Sequence, residues 1–279
     1  MHARGDVDEL SSPNVRIHLL ARGDTIHKRV GRRKLQEDRE RCRSDMIPHA
    51  TLHPTELSFR ATVTAVNPEG AIILSETHFY PTGGGQPSDT GVLKRGEEEF
   101  RITEARKTEL GITHTVDRSG LAVGDAVEGL IDANRRTRHR RMHTAIHIVC
   151  ALLERDAGTH ITGNQIGEEK SRLDVDLQVY DPAFVERVVT EANAIIAQDL
   201  HVSRRVVSRE EFLADPSLVK LAAGFPEHIQ EIHLVEIPGV DRQACGGTHV
   251  DRLGEIGKIV FLKSENRGKN NRRFYFGLE

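Results

Sequence analysis

The sequence predicts an α+β protein in which a small β-barrel-like domain precedes a domain that mixes helices with an antiparallel sheet. Short runs rich in Val, Ile and Thr, separated by turn residues, fill the region from about Thr55 to Ile131. Two helical patterns follow, and strand-like runs return toward the C-terminus. The simplest division is a β-rich domain over residues 51–134 and an α+β domain over residues 135–279.

Residues 1–50 differ from the rest of the chain. Charged side chains are dense between Lys28 and Asp45, and no apolar periodicity is sustained there. Such a segment buries too little apolar surface to offset the entropy lost on ordering. We therefore expect a disordered or loosely attached extension.

The β-rich region contains at least five short strand patterns, which favour a small barrel or a sandwich. Turn residues such as Asn67-Pro68-Glu69-Gly70 separate them. The predicted strands are Leu57–Val66, Ala71–Ser75, Phe100–Glu104, Ile112–Val116 and Ala126–Ile131.

The α+β region begins with a helix whose apolar residues, from Met142 to Leu153, recur at helical spacing. A second helix is predicted from Asp181-Pro182, with Asp as N-cap and Pro in the first turn. The predicted strands of this region are Arg172–Leu177, Val202–Val207, Glu231–Ile237, Ile256–Leu262 and Arg273–Leu278.

Composition limits the classes of function. The net charge is −3 over 279 residues, so any nucleic-acid contact must be a local basic patch. Three widely spaced cysteines (Cys42, Cys150 and Cys245) do not resemble a disulfide framework, which favours a reducing, cytoplasmic setting. The sequence contains no run of 18 apolar residues, so no membrane span is predicted. The N-terminus lacks an apolar core like that of a signal peptide.

Two short motifs about a hundred residues apart form a candidate metal site. His143 and His147 are spaced i, i+4 on the predicted helix, and Cys245 and His249 have the same spacing in a glycine-containing loop. Three imidazoles and one thiolate suit zinc. His139 and His143 are an alternative pair, but the arginines around His139 disfavour a nearby cation.

The same motifs exclude two common zinc enzymes. A zinc-protease helix carries Glu after the first histidine, whereas Thr144 stands here. A nucleobase deaminase carries His-x-Glu and Pro-Cys-x-x-Cys, and neither occurs. The histidine pair therefore has no carboxylate base built into it.

The loop Phe79–Gly91 contains Gly83, Gly84 and Gly85 in succession. It is either a long hairpin turn or a place where a ligand or a second domain approaches the backbone closely. It lacks the Gly-Lys-Ser/Thr of a phosphate-binding P-loop, so ATP binding is not expected. Thr162 and Gln165 are either substrate contacts near the metal or parts of a polar turn.

Two basic runs flank or follow the metal motifs, and each is either a solvated face or a set of phosphate contacts. We predict nucleic-acid contacts for both. The first contains Arg135, Arg136, Arg138, Arg140 and Arg141, and the second contains Lys263, Arg267, Lys269, Arg272 and Arg273.

In this order, the Phe79–Gly91 loop, His143-x-x-x-His147, Thr162–Gln165 and Cys245-Gly-Gly-Thr-His249 resemble the alanyl-tRNA editing family. These are free-standing (AlaX type) homologues of the editing domain of alanyl-tRNA synthetase. The resemblance covers roughly residues 55–279. It implies the medium-length form, in which a β-rich domain precedes a zinc-binding editing domain.

The resemblance implies a hydrolase that acts in trans on tRNA(Ala) wrongly charged with serine, and in some members with glycine. Its partner would be the acceptor end of the mischarged tRNA, and the two basic runs would be its tRNA contacts. One zinc per chain would be held by His143, His147, Cys245 and His249. Contacts to substrate are expected from Thr162, Gln165, Gly83, Gly84 and Gly85, and no residue is assigned as the catalytic base.

Several alternatives remain open from the sequence. A zinc ion could supply hydroxide, or it could hold the serine moiety while another group or the terminal hydroxyl of the tRNA activates water. Four protein ligands would also suit a zinc-stabilised RNA-binding module without catalysis. The editing domain of threonyl-tRNA synthetase carries similar paired motifs, although the Gly-Gly-Gly-Gln and Cys-Gly-Gly-Thr-His runs favour the alanine family.

Overall fold

The computed structural model describes residues 55–177, 179–215, 218, 231–268 and 270–279. The predicted extension over residues 1–50 lies outside the described residues. All of the described residues belong to one compact unit. The architecture is mixed α/β with a closed six-stranded barrel, in agreement with the predicted α+β class.

The barrel is formed by six antiparallel strands in the order β1-β2-β5-β4-β3-β6. In β1, buried and exposed residues alternate, as a strand with one face on a core requires. Phe59, Phe79, Leu93 and Phe100 fill the interior. The strands are β1 (Ser58–Val66), β2 (Ile72–Leu74), β3 (Gly91–Arg95), β4 (Glu98–Thr108), β5 (Gly111–Val116) and β6 (Ala126–Ile131).

The first helix, α1 (Ala133–Ala157), starts directly after the last barrel strand. The Asp132 side chain accepts a hydrogen bond from the Arg135 backbone N–H at 3.0 Å and caps its N-terminus. Gly158, with φ of +60°, ends it in the left-handed conformation that glycine adopts most readily. Because no loop separates strand and helix, α1 leaves the barrel at a fixed point and carries its middle turns into the second half of the molecule.

The described residues of the second half form two antiparallel sheets and two further helices. One sheet has the order β12-β13-β8-β7 and the other β11-β10-β9. Its strands are β7 (Ile161–Gln165), β8 (Lys170–Val175), β9 (Ser203–Ser208), β10 (Glu231–Ile237), β11 (Asp241–Ala244), β12 (Ile259–Asn266) and β13 (Arg272–Leu278). Its helices are α2 (Pro182–Ile196), α3 (Arg209–Leu213) and a 3-10 turn at Leu253–Ile256.

One apolar core joins α1, α2 and the four-stranded sheet. Ile148, Leu173, Val185 and Phe274 are fully buried in it. The N-cap of α2 is Asp181, whose side chain accepts from the Ala183 N–H at 2.9 Å, as the sequence predicts. Among the described residues, no helix is long and apolar enough to cross a membrane.

The barrel is fastened to α1 by a fully buried ion pair. Arg136 and Asp89 both have no exposed side-chain surface, and the Arg136 Nε lies 3.0 Å from both Asp89 carboxylate oxygens. A terminal Arg136 nitrogen also donates to the His78 carbonyl at 2.6 Å. Arg136 therefore cannot reach a tRNA phosphate, and its prediction as a tRNA contact is wrong.

Candidate metal centre and the cleft beside it

Four donor side chains from two elements converge on one point. His143 and His147 come from the middle of α1, while Cys245 and His249 come from the loop after β11. One potential ligand atom from each residue lies within 4.8 Å of all the others. The Cys245 Sγ is 3.6 Å from the His143 Nε2 and 3.3 Å from the His249 Nε2.

The two sulfur–nitrogen distances fit a tetrahedral zinc ion. Zinc–ligand bonds of about 2.0–2.3 Å place neighbouring donors roughly 3.3–3.8 Å apart. The two sulfur–nitrogen distances fall at or near this range. Three imidazoles and one thiolate are also ligands that zinc accepts. The donor set present therefore fits the metal.

Each of the three histidines has a hydrogen-bond partner at its Nδ1. The His143 Nδ1 lies 2.7 Å from the Gln86 Oε1, and the His147 Nδ1 lies 2.8 Å from the Asp241 Oδ2. The His249 Nδ1 lies 3.1 Å from the Thr144 hydroxyl. With Nδ1 occupied in all three rings, the Nε2 atoms are the ones left to meet Cys245. Partners of this kind orient metal ligands and select their tautomer.

The hydrogen-bond network indicates the tautomers. The Thr144 hydroxyl donates to the Arg140 carbonyl at 3.0 Å, so it can only accept from His249. The Asp241 carboxylate likewise accepts from His147. Gln243 donates to the same Asp241 oxygen at 2.7 Å and holds that carboxylate in place. In the neutral form of each ring, a protonated Nδ1 leaves a lone pair on Nε2, as metal binding requires.

Electrostatics favour a thiolate at Cys245. Burial of Cys245 opposes ionisation, but His143, His147 and His249 together hold the pKa of its thiol well below the usual value. Burial lowers the pKa of His249 to about 3, despite the attraction of Cys245, so its imidazole is neutral. A thiolate beside a neutral imidazole is a ready ligand pair.

The second glycine of the Cys-Gly-Gly-Thr-His motif, Gly247, lies directly against the His143 ring. A Cβ at this position would lie 2.0 Å from the His143 Cε1, so a larger residue would displace a ligand. The Gly247 N–H also lies 3.4 Å from the Cys245 Sγ, within reach of a hydrogen bond to sulfur. Two arginines fix the end of the loop, since Arg140 and Arg204 donate to the His249 carbonyl at 2.6 and 3.1 Å.

His139, the competing ligand in the sequence, lies outside this four-residue cluster. It is fully buried, and burial together with the charge of Arg135 lowers its pKa to about 4. Within the described part of the chain, neither of its ring nitrogens has a hydrogen-bond partner.

A cleft of about 430 Å³ lies beside the metal centre. His139 lines it one turn before His143, and Pro87 lines it next to Gln86. Two predicted tRNA contacts, Arg135 and Arg138, and one predicted substrate contact, Gln165, face the same cleft. The remaining lining residues are Ile166, Gly167, Glu168, Glu169 and Lys170.

The glycine-rich loop rests on β7. The Gly85 carbonyl accepts from the Ile166 N–H at 2.7 Å, and a Cβ on Gly85 would lie 1.5 Å from the Asn164 Oδ1. Gly83 and Gly84 lie near the Tyr80 hydroxyl, which donates to the Gly83 carbonyl at 2.8 Å. The structure therefore favours close approach of the second half over a free hairpin turn.

Thr162 and Gln165 lie on β7, so the polar-turn interpretation of these residues is wrong. Both side chains are exposed. Gln165 joins the cleft, whereas no described hydrogen bond connects Thr162 to the four donors. Their roles toward substrate remain proposals.

The first basic run is largely engaged in internal contacts. Arg135 pairs with Glu168, and Arg141 donates to the Ile256 carbonyl at 2.9 Å. Arg140 pairs with Asp251 at 2.9 Å in addition to holding the His249 carbonyl. Arg140 therefore has a structural role that its prediction as a tRNA contact did not include. Arg138 is the most exposed of the four arginines outside the Asp89 pair, with a 3.4 Å contact to Glu168.

The second basic run lies on β12, β13 and the turn between them. Arg273 forms an ion pair with Asp174 at 2.6 Å, and Lys263 pairs with Glu265 at 2.6 Å. Arg272 stacks over the Tyr180 ring at 4.6 Å, and Arg267 is exposed. Lys269 lies outside the described residues.

Sequence reasoning missed the partners of the ligands: Gln86, Asp241, Thr144 and Gln243. Thr144 and Gln86 stand inside motifs that the sequence singles out, so their positions carried some signal. No sequence signal marks Asp241, because it contacts His147 from 94 positions away in the chain.

The chain is similar in sequence to aminoacyl-tRNA synthetases and to alanyl-tRNA editing proteins. Residues 33–135 match the model of class II tRNA synthetases (A), and residues 232–275 match the second additional domain of threonyl and alanyl tRNA synthetases. The alanyl-tRNA editing protein AlaX-M of Methanosarcina barkeri is 45% identical over 227 residues, which are 79% of this chain and 93% of that protein.

Two further relatives extend the comparison. AlaX-M of Saccharolobus solfataricus is 44% identical over 211 residues, 75% of this chain and 89% of that protein. The alanine–tRNA ligase of Methanothrix thermoacetophila is 37% identical over 215 residues, 76% of this chain but only 23% of the ligase. The similarity thus spans nearly all of the editing proteins and one portion of the ligase.

Proposed function

Because the chain belongs to the alanyl-tRNA editing protein family, we propose that it hydrolyses the ester bond of tRNA(Ala) mischarged with serine. Glycyl-tRNA(Ala) is the second candidate substrate. The enzyme would act in trans on the acceptor end of the tRNA, in the cytoplasm.

Physical limits on amino-acid selection explain the need for such an activity. A pocket sized for alanine cannot strongly exclude glycine, which is smaller, or serine, which adds only a hydroxyl. Discrimination of this size is worth about 1–3 kcal/mol, so a second site that removes errors is required.

The observation that carries the proposal is the set of four donors with oriented Nε2 atoms. His143, His147, Cys245 and His249 would hold one zinc ion. When bound, zinc supplies a Lewis acid to groups at the aminoacyl end. Gln86, Asp241 and Thr144 keep the three imidazoles in the tautomer that can bind it. No described side chain is assigned as the general base.

The cleft beside the centre is our candidate for the acceptor end. Arg135, Arg138 and Lys170 bring positive charge to it, and Gln165 supplies an exposed amide on the same wall. Glu168 contacts both arginines, and together with Glu169, which also lines the cleft, it offsets much of this charge. A phosphate contact here would therefore exchange Glu168 for a tRNA oxygen at Arg135 or Arg138.

The test is deacylation of seryl-tRNA(Ala) by the purified full chain, with zinc content measured on the same sample. Alanyl-tRNA(Ala) and seryl-tRNA(Thr) are the controls. Selective loss of serine from tRNA(Ala), with about one zinc per chain, is the expected result. Hydrolysis of seryl-tRNA(Thr) instead would identify tRNA(Thr), and not tRNA(Ala), as the tRNA on which the enzyme acts.

A zinc-stabilised RNA-binding module is the second candidate, favoured by the presence of four protein donors. Zinc binding and tRNA binding without hydrolysis of any ester would support this alternative and contradict the proposed enzyme.

A further inference from the structure

Gln86 is a buried residue of the glycine-rich loop, and it contacts both metal-binding motifs. It has no exposed surface. Its Oε1 lies 2.7 Å from the His143 Nδ1 and 3.2 Å from the Thr248 backbone N–H, while its Nε2 donates to the Thr248 hydroxyl at 2.9 Å. One side chain from the barrel half therefore joins the α1 histidine to the loop that carries Cys245 and His249.

The Thr248 contacts determine which end of the Gln86 amide faces His143. The Thr248 backbone N–H can only donate, so it requires the amide oxygen on its side. A flipped amide would point its NH₂ group at this N–H. The oxygen that accepts from Thr248 is the same atom that faces His143, so the His143 Nδ1 must carry the proton. The lone pair of His143 is thereby confined to Nε2, on the side of Cys245.

The loop presents Gln86 in a fixed position. Gly83 and Gln86 exchange two backbone hydrogen bonds, at 3.0 and 2.9 Å. The Tyr80 hydroxyl closes one side of this turn on the Gly83 carbonyl, and the Gly85 carbonyl is held by Ile166 on the other. Because the backbone around Gln86 is already ordered, little entropy is lost when its amide engages His143.

We propose that Gln86 is a positioning residue for the metal centre, so that the barrel half controls the tautomer of His143 and the alignment of the two ligand-bearing segments. The inference rests on the proposed metal site but not on the proposed substrate. Asp241 and Thr144 orient the other two histidines from the half that carries the ligands. Gln86 makes metal affinity depend on the barrel loop as well.

The experiment measures zinc affinity of the full chain by competition with a chromophoric chelator, together with the visible spectrum of the cobalt-substituted protein. Gln86→Ala is expected to weaken zinc binding by about 10–100-fold, the usual cost of losing a partner of a metal-bound histidine. Its cobalt spectrum should shift, because the His143 ring is no longer fixed. Gln86→Glu keeps an oxygen acceptor for His143 and Thr248, and should recover most of the affinity.

Ser88→Ala is the matched control, since it removes a buried hydroxyl two positions along the same loop. It should leave zinc affinity and the cobalt spectrum as in the wild type. Thermal unfolding of every variant in excess zinc separates a loss of metal from a loss of fold.

Zinc affinity of Gln86→Ala within twofold of the wild type, with an unchanged cobalt spectrum, would overturn the inference. If Gln86→Ala does not fold, Gln86→Glu decides: near-wild-type affinity supports the inference, and a loss as large as 10-fold contradicts it. Neither readout uses tRNA, so failure of the proposed deacylation would be seen separately in the wild-type assay.

Discussion

Both halves of the molecule contain buried histidines, but the ring nitrogens of these histidines have different partners in the two halves. In the barrel, His114 donates from Nδ1 to the Ile72 carbonyl at 3.1 Å and accepts at Nε2 from the Thr77 hydroxyl at 2.9 Å. In the second half, His143, His147 and His249 each have a partner at Nδ1, and their Nε2 atoms converge with Cys245. A buried histidine with both nitrogens paired is structural, whereas a convergent set with one nitrogen directed at a common point indicates a ligand site.

The largest effect is expected when one of the four convergent donors (His143, His147, Cys245 and His249) is removed. Cys245→Ala removes the thiolate, and zinc content should fall from about one per chain to near zero, with deacylation falling to background. Metal analysis and the seryl-tRNA(Ala) assay measure the two effects. Cys150→Ala, which changes a partly buried cysteine on α1 that is not part of the four-donor cluster, should keep both metal and activity. Retention of both by Cys245→Ala would show that the ligand assignment is wrong.

The second effect concerns the joint between the two halves. Arg136→Met leaves Asp89 buried without its cation, which should lower the free energy of unfolding by about 3–5 kcal/mol. Chemical denaturation measures the loss, and pairing the change with Asp89→Leu should recover part of it. Arg155→Ala, at an exposed ion pair with Glu191, should have little effect. Equal effects at the two sites would contradict a special role for the buried pair.

The free energy of unfolding should depend on pH through His114, the structural histidine of the barrel. Burial lowers the pKa of His114 from 6.5 to about 4, so the unfolded chain takes up a proton before the folded chain does. Its contribution to stability is complete above about pH 6.5, falls as the pH drops toward 4, and amounts to about 3 kcal/mol at most.

His114→Gln should remove this part of the dependence. Unfolding free energies of the wild type and the variant, measured between pH 7 and 4, give the difference directly. Parallel curves for the two proteins would mean that His114 does not titrate as its burial implies.

The smallest expected effect is at the surface of the cleft. Arg138→Ala should raise the KM for the tRNA substrate several-fold with kcat little changed, and should reduce the salt dependence of binding by about one phosphate contact. Arg187→Ala removes the same charge from an exposed position on α2 and is the control. Identical behaviour of the two variants would exclude the cleft as a tRNA contact.

Local patterns predicted the fold class and brought the four donors to attention, because helical periodicity and i, i+4 spacing are properties of neighbouring residues. The strands at Gly91–Arg95, Ile161–Gln165 and Asp241–Ala244 were not predicted. They contain glycine or consecutive polar residues, and pairing with distant strands makes them β-structure.

Long-range partners could not be predicted in the same way. Arg136 has the sequence context of an exposed basic run, yet Asp89, 47 positions away, buries it. Gln86 and Asp241 meet their histidines across 57 and 94 positions. Such contacts depend on how the halves pack, which no local pattern encodes.

The most direct test of the convergent set is X-ray absorption at the zinc edge of the purified full chain. We expect one zinc per chain, with three nitrogen neighbours at about 2.0–2.1 Å and one sulfur at about 2.3 Å. Absence of zinc, or a zinc shell without sulfur, would contradict it.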